Sequence, residues 1–270
     1  MVKLATQDKP FFSDNFIEKL NQVKAMGFDG FEADGGMLLN RYEELKGAVR
    51  AAGVPVTSVC GGYRGWIGDF VDYRRRTAIE DITTILERAG ELGAKGIVVP
   101  AAWGMFSLRL PPHVPPRPSE EDAAVLIDSL SKLEGVCAKS GTTVLLEPLN
   151  RYEDHMLNTL DAAGAIIEKG GLQHVQIMAD FFHMSIEEQD IGNSIRKWGP
   201  KIGHVHIADS HRFQPGDGHT DFVSGFRALK DAGFQGTMAF ECRVLGDDQE
   251  GLYQKSVGYI RSCMKQADLA

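Results

Sequence analysis

The sequence predicts an α/β protein, a single (β/α)8 TIM barrel over residues 1–270, and three observations carry that prediction. Eight short apolar, β-branched stretches recur along the chain, each is followed by a longer segment with helical spacing of apolar residues, and Gly-bearing turns separate helices from the next strand. Strands alternating with helices build a parallel sheet, and eight such units close into a barrel more readily than they form an open doubly wound sheet. No GxGxxG or GxxxxGK[ST] pattern occurs, since CGGYRG at 60–65 lacks the spacing, and no linker divides the chain.

The strands are read in order as VKLAT (2–6), FDGFEA (28–33), VPVTSV (54–59), KGIVV (95–99), TTVLLE (142–147), HVQIMAD (174–180), KIGHVHI (201–207) and GTMAFE (236–241). Helix starts are expected at Ser13, at Asp72, at Ser119 with Asp122 as a capping-box-like pair, and at Thr159. In the segment after the third strand, Ile79, Ile82, Ile85, Leu86 and Ala89 share one helical face. The glycines of AMGFDG, AAGVP, ELGAKG, AKSGT and DAGFQG mark helix ends. The one long connection, GMFSLRLPPHVPPRP (104–118), is too rich in proline for a regular helix. It is expected as a loop at the barrel mouth, a lid or a surface excursion, with Arg109, His113 and Arg117 solvated, or with Arg109 and Arg117, together with Arg212, meeting an anionic group.

Composition narrows the function. The 29 Lys and Arg against 37 Asp and Glu leave a net charge of −8, which argues against broad phosphate-backbone binding and so against a nucleic-acid partner. No run approaches the ~20 apolar residues of a membrane span, and the start MVKLATQDKP has too short an apolar stretch for a signal-peptide core. Cys60, Cys137, Cys242 and Cys263 form no CxxC pair and suit buried thiols in a reducing compartment, so the expected location is the cytoplasm.

In such a barrel, side chains at the C-terminal ends of strands converge on one mouth. The fifth strand ends in Glu147, the sixth in Asp180, the seventh in His206 and the eighth in Glu241. Three carboxylates and one imidazole make a mostly oxygen site, suited to a divalent cation such as Mn²⁺, Mg²⁺ or Co²⁺, with Zn²⁺ also admissible. Without a cation, carboxylates buried together would repel one another and suffer from desolvation. His204, two residues before His206, points to the same side one layer deeper and reads as a core or supporting residue. Asp217 and His219 sit in PGDGHTDF, where Gly216 and Gly218 suggest a tight loop over the site that touches the substrate or else an exposed turn; His155 and His174 read as structural or surface residues.

The run from LLEPLNRYE through ADFFHMSIEE and HVHIADSHRFQPGDGH to MAFEC resembles the xylose-isomerase-like barrel superfamily of sugar isomerases and epimerases, and within it the D-tagatose/D-psicose (ketose) 3-epimerase branch. The resemblance implies one Mn²⁺ or Co²⁺ held by Glu147, Asp180, His206 and Glu241, with the two glutamates as the acid/base pair. It further implies substrate contacts at Glu153, His183 and Arg212, and a homodimer or homotetramer. His211 stands before Arg212 where relatives commonly have Asn, and Glu32, Cys60 and Gly61 are expected as lining residues. The implied reaction is proton abstraction next to a carbonyl, through an enediolate, on a sugar or keto-sugar.

Three other readings compete. The same base and metal would serve a lyase, deglycosidase or dehydratase that eliminates from a 3-keto sugar or glycoside. An endonuclease IV-like enzyme would use histidines from the first half of the barrel, yet none precedes His113. A non-catalytic sugar-binding barrel would tolerate loss of either glutamate, and both are intact.

Overall fold

A computed structural model describes residues 2–108 and 114–269. Its eight strands are β1 (Lys3–Thr6), β2 (Gly30–Asp34), β3 (Val56–Cys60), β4 (Gly96–Pro100), β5 (Thr143–Glu147), β6 (Val175–Asp180), β7 (Ile202–Ile207) and β8 (Thr237–Phe240). All pairings are parallel, and β8 returns to pair with β1, so the sheet closes into a barrel with every edge used. The strand order is the sequence order, as the alternating pattern predicts.

The helices around it are α1 (Phe16–Ala25), α2 (Gly35–Asn40), α3 (Tyr42–Ala52), α4 (Asp72–Leu92), α5 (Ser119–Ser131), α6 (Glu134–Ser140), α7 (Leu160–Gly170), α8 (Phe181–Glu187), α9 (Ile191–Trp198), α10 (Phe222–Asp231) and α11 (Gln249–Gln266). They cover the outer barrel face with a continuous apolar layer, to which α4 contributes Ala78, Ile82, Ile85, Leu86 and Ala89. Ile79 is only half-buried at its margin. A second, smaller cluster of Val98, Leu145 and Met178 fills the barrel interior, with Cys60 against it. The interior is therefore a packed plug, and catalytic groups can stand only above it. Among the described residues, no helix is long and apolar enough to cross a membrane.

Gly53, Gly93 and Gly141 cap α3, α4 and α6 in the left-handed conformation, as the turn glycines predict. Thr159 caps α7 by accepting from Ala162 N. Three expected starts differ. Asn15 rather than Ser13 caps α1, accepting from Ile17 N and Glu18 N, while Ser13 Oγ donates to Glu18. Asp72 is the first residue of α4, where it pairs with Arg75 and Arg76 instead of capping. Ser119 and Asp122 form no capping box: Pro118 precedes α5 without a side-chain cap, and the Asp122 carboxylate is drawn away by Arg117 and His155.

The 104–118 connection is described only in part. Arg109 and His113 lie outside the described residues. Arg117 is not solvated, because its guanidinium donates to Asp122 at 2.7 Å and to the Gly68 carbonyl at 2.6 Å. It is thereby committed to holding loops together and is not free for an anionic ligand.

Candidate active site

Alternation along each strand puts Glu147 above Leu145, Asp180 above Met178 and His206 above His204 on the interior side. The register pairs Asp180 with His206 across β6 and β7, and Glu241 directly follows β8. One donor atom from each of Glu147, Asp180, His206 and Glu241 falls within a common 4.8 Å. The first three are buried, and Glu241 is half-buried at the cavity wall. The structure thus brings together all four groups that the strand ends predict.

The electrostatics suit a site that could hold a cation. Burial pushes the Glu147 carboxyl up to about 8, helped by the neighbouring charges of Glu241 and Asp180 and opposed by His206. Burial also works against ionised Glu241, but Arg212 and His206 outweigh it and hold that carboxyl well below the usual range. Arg212 Nη1 donates to Asp180 Oδ2 at 2.5 Å, and Nη2 donates to Glu241. His206 Nδ1 lies 2.7 Å from Glu241 Oε2 and 3.7 Å from Asp180 Oδ2. Yet His206 Nδ1 and Glu147 Oε1, both buried, make no hydrogen bond among the described residues. Two orphaned buried atoms facing one point, with carboxylates around it, fit a divalent ion well.

Support comes from the first half of the chain. Glu32 Oε1 lies 2.7 Å from His206 Nε2, and Glu32 Oε2 lies 2.7 Å from His204 Nε2 and accepts from Ser58 Oγ at 2.6 Å. Burial works against the Glu32 charge, but His206 and His204 hold its carboxyl well below the usual range. A register shift between Phe31 and Glu32 in the β2/β3 pairing accompanies this inward aim. Glu32 is therefore a brace beneath the site rather than a lining residue, and His204 is the deeper supporting residue that its position predicts.

His183, on the first turn of α8, is buried with Nε2 3.8 Å from Glu147 Oε1 and 4.0 Å from Asp180 Oδ2. Its Nδ1 accepts from the backbone N–H of Asn150 at 3.1 Å, which fixes the ring proton on Nε2, facing the site. Glu153 accepts from Asn150 Nδ2 and from Trp103 Nε1, both at 2.9 Å. Arg212 sits in the loop after β7 with φ 65°, an uncommon conformation for a non-glycine residue. That loop is organised by buried Asp209, whose carboxylate accepts from the backbone N–H groups of Ser210, Gly216, Gly218 and Thr220. Gly218 is required there, since a Cβ would stand 2.2 Å from Asp209 Oδ1.

Above the four donor groups opens a cavity of about 590 Å³, walled in part by Cys60, Gly61, Trp66, Trp103, Glu153, His183, Arg212 and Arg243. Glu153, His183 and Arg212 thus reach the same cavity as Glu147 and Glu241. Asp217 accepts from Gln214 Nε2 and His219 is exposed, so the PGDGHTDF segment supports the Arg212 loop without lining the cavity. His155 and His174 are structural, held by Asp122 and Glu134 respectively. Sequence reading misses Asn150, Trp66, Trp103 and Arg243. The only signal for Asn150 is its place in LNRYE, and nothing marks the aromatic pair before the loops are folded.

The family described as xylose isomerase-like TIM barrel matches residues 20–263. A 3-dehydro-D-guloside 4-epimerase from Escherichia coli is 49% identical over 262 residues, covering 97% of this chain and 100% of that protein. A D-psicose 3-epimerase from Enterocloster bolteae is 27% identical over 256 residues, covering 88% and 79%. The apo crystal structure of a 3-keto-D-glucoside 4-epimerase from E. coli superposes with a TM-score of 0.95 at 49% identity, covering 97% of this chain and all of that one. An L-ribulose 3-epimerase, at 24% identity and a TM-score of 0.83, shares the fold over 99% of this chain and 96% of its own.

Proposed function

Because the chain belongs to the xylose isomerase-like TIM barrel family, we propose that it inverts C4 of a 3-keto hexoside, with Glu147 and Glu241 as its two acid/base groups. That it is an enzyme of the sugar epimerase and isomerase kind follows from its relatives. The ketose 3-epimerase resemblance holds at the level of the family; the 4-epimerase from E. coli matches at higher identity.

The observation that carries the proposal is the convergence of Glu147 and Glu241, from separate strand ends, on one cavity, with Glu147 Oε1 and His206 Nδ1 both left without a hydrogen bond among the described residues. Glu147, Asp180, His206 and Glu241 would hold one divalent ion, and the oxygen-rich donor set favours Mn²⁺. Such an ion supplies electrostatic stabilisation of the negative charge that grows on the substrate's carbonyl oxygen. The chain's own groups do the rest. One glutamate, as the carboxylate, takes the C4 proton; the other, having taken up a proton from solvent once substrate is bound, returns it to the opposite face, and the first gives its proton back to solvent. His183, its proton fixed on Nε2, donates to a substrate oxygen, and Arg212 and Glu153 orient the hydroxyl groups. A cytoplasmic setting, supported by four free cysteines, and a homodimer or homotetramer complete the proposal.

A second reading shares the substrate class. A C3 carbonyl acidifies both C2 and C4: proton loss at C4 leads to epimerisation, whereas loss at C2 expels the C1 substituent by elimination. NMR-detected exchange in D₂O with Mn²⁺ and a 3-keto glucoside separates them. The expected result is chelator-sensitive label at C4 with inversion there. Label at C2 with aglycone release would select the lyase, and no exchange with keto-glycosides or ketoses would remove the assigned reaction.

A further inference from the structure

Outside the donor cluster, a further group of buried titratable side chains lies where three mouth loops meet. These loops follow β3 (61–71), β4 (described over 101–108 and 114–118) and β5 (148–159). His155 Nε2 lies 3.1 Å from Asp122 Oδ2, and its Nδ1 lies 3.7 Å from Asp154 Oδ1. The side chains of all three are 5% exposed or less. Asp122 also takes Arg117, whose guanidinium reaches the Gly68 carbonyl and stacks 4.7 Å from the Phe70 ring. The His155 ring lies 5.9 Å from Phe70 and 5.0 Å, edge to face, from Phe106. Backbone bonds add Gly68 N to Ala101 O, Gly104 N to Glu153 O and Leu108 N to Arg151 O.

Asp154 Oδ1 and His155 Nδ1 are both buried and both without a hydrogen bond among the described residues, and they face each other. At 3.7 Å they are not yet hydrogen-bonded, and a small approach would let one proton serve both. Asp154 Oδ2 is already used, accepting from Met156 N and Leu157 N. Next in sequence to this cluster stands Glu153, which carries Trp103 and lines the substrate cavity.

We propose that Arg117, Asp122, Asp154 and His155 form a buried latch that positions Glu153 and Trp103 as one wall of the substrate cavity. They are positioning residues, none of them among those that line the cavity, and the proposal rests on the assignment of that cavity to the sugar. The titratable groups nearest Asp154 are His155, 3.7 Å away, and Asp122, whose charge acts on it and which in turn carries Arg117. Burial pushes the Asp154 carboxyl up to about 7. Its folded value is raised, so its contribution is fully present in acid and is lost as pH rises through about 7. The latch therefore loosens on the alkaline side.

The test compares His155→Phe and Asp154→Ala with Asp154→Asn in the metal-loaded enzyme. An Asn carbonyl keeps the two backbone bonds and its amide donates to His155 Nδ1, without titrating. Expected for the first two are a KM higher by about tenfold with kcat within about twofold, unchanged metal content, and deuterium uptake faster by about tenfold confined to 61–71, 101–108 and 148–158. Asp154→Asn should match the wild type near pH 6.5 and hold its KM flat to pH 8.5, where the wild-type KM climbs. Unchanged uptake in the three loops, uptake raised equally in the barrel strands, or the same pH dependence of KM in Asp154→Asn would overturn the latch. If His155→Phe and Asp154→Ala do not fold, the pH comparison of wild type with Asp154→Asn decides alone, read as uptake corrected for intrinsic exchange. Deuterium uptake needs no substrate, so a wrong sugar assignment and a wrong latch give different results.

Discussion

Glu147 and Glu241 have the same side chain but opposite surroundings. One is deeply buried among like charges and is pushed up to about 8; the other is held low by Arg212 and His206. A cation needs both as carboxylates and a neutral imidazole, so loading near pH 7 should release protons from Glu147 and from His206, whose ring is held protonated, against the effect of burial, by Glu32 and Glu241. Calorimetry in buffers of different ionisation enthalpy measures this, and no proton release would take Glu147 out of the ligand set. Replacing either glutamate by Gln should lower kcat by about 10²–10⁴ with the circular dichroism unchanged. Asp180→Asn should reduce bound metal, while its remaining carbonyl can still accept from Phe182 N and His183 N at the start of α8. Glu32→Gln should weaken metal binding by roughly 10–100-fold, because it removes the charge that orients His206 from below. All four donor residues are legible in the sequence, since strand-end positions and residue type suffice to place them. The Glu32 role is not, because it depends on a register shift and on a distance across the barrel.

At the scale of elements, the strand bounds read from apolar runs fall within two residues of those observed. The cap residues fare worse, and the reason is competition. Asp122 has the right spacing for a capping box, but Arg117 and His155 offer it charge-assisted partners that a helix end cannot match. Loops are legible only as loops. The segment 209–221 is ordered by one carboxylate collecting four backbone N–H groups, which hold it below the usual range against the effect of burial. The folded value is lowered, so this contribution is present above the ordinary carboxyl range and is lost as pH falls below that range through the lowered folded value. Asp209→Ala should leave the barrel folded but release the Arg212 loop. The expected cost is about 1–3 kcal/mol, with a fall in kcat/KM, and a variant of unchanged stability would show that the loop holds itself.

For the whole molecule, filling the donor cluster should raise the melting temperature, since a ligand that binds only the folded state stabilises it by about 2.7 kcal/mol at 100 times its Kd. In a barrel of this size that is a shift of roughly 5 °C or more, absent in Asp180→Asn. Calorimetry with and without chelator reads it, and equal melting in the wild type would remove the cation. The overall architecture was legible because eight repeats of one pattern leave one closed solution. Substrate identity was not, because the cavity wall of Trp66, Trp103 and Glu153 is brought together only by loop packing.

The Glu32 brace divides the work of the chain unequally. Every group that would touch the ion comes from residues 147–241, while the carboxylate that aims His206 comes from the second strand. A fragment holding the last four strands would carry the full set of donors with nothing to point one of them. Recombining half-barrels from two relatives would thus transplant the charges intact and still misalign the site, unless the donor of the first half also supplied an acid at that one inward position.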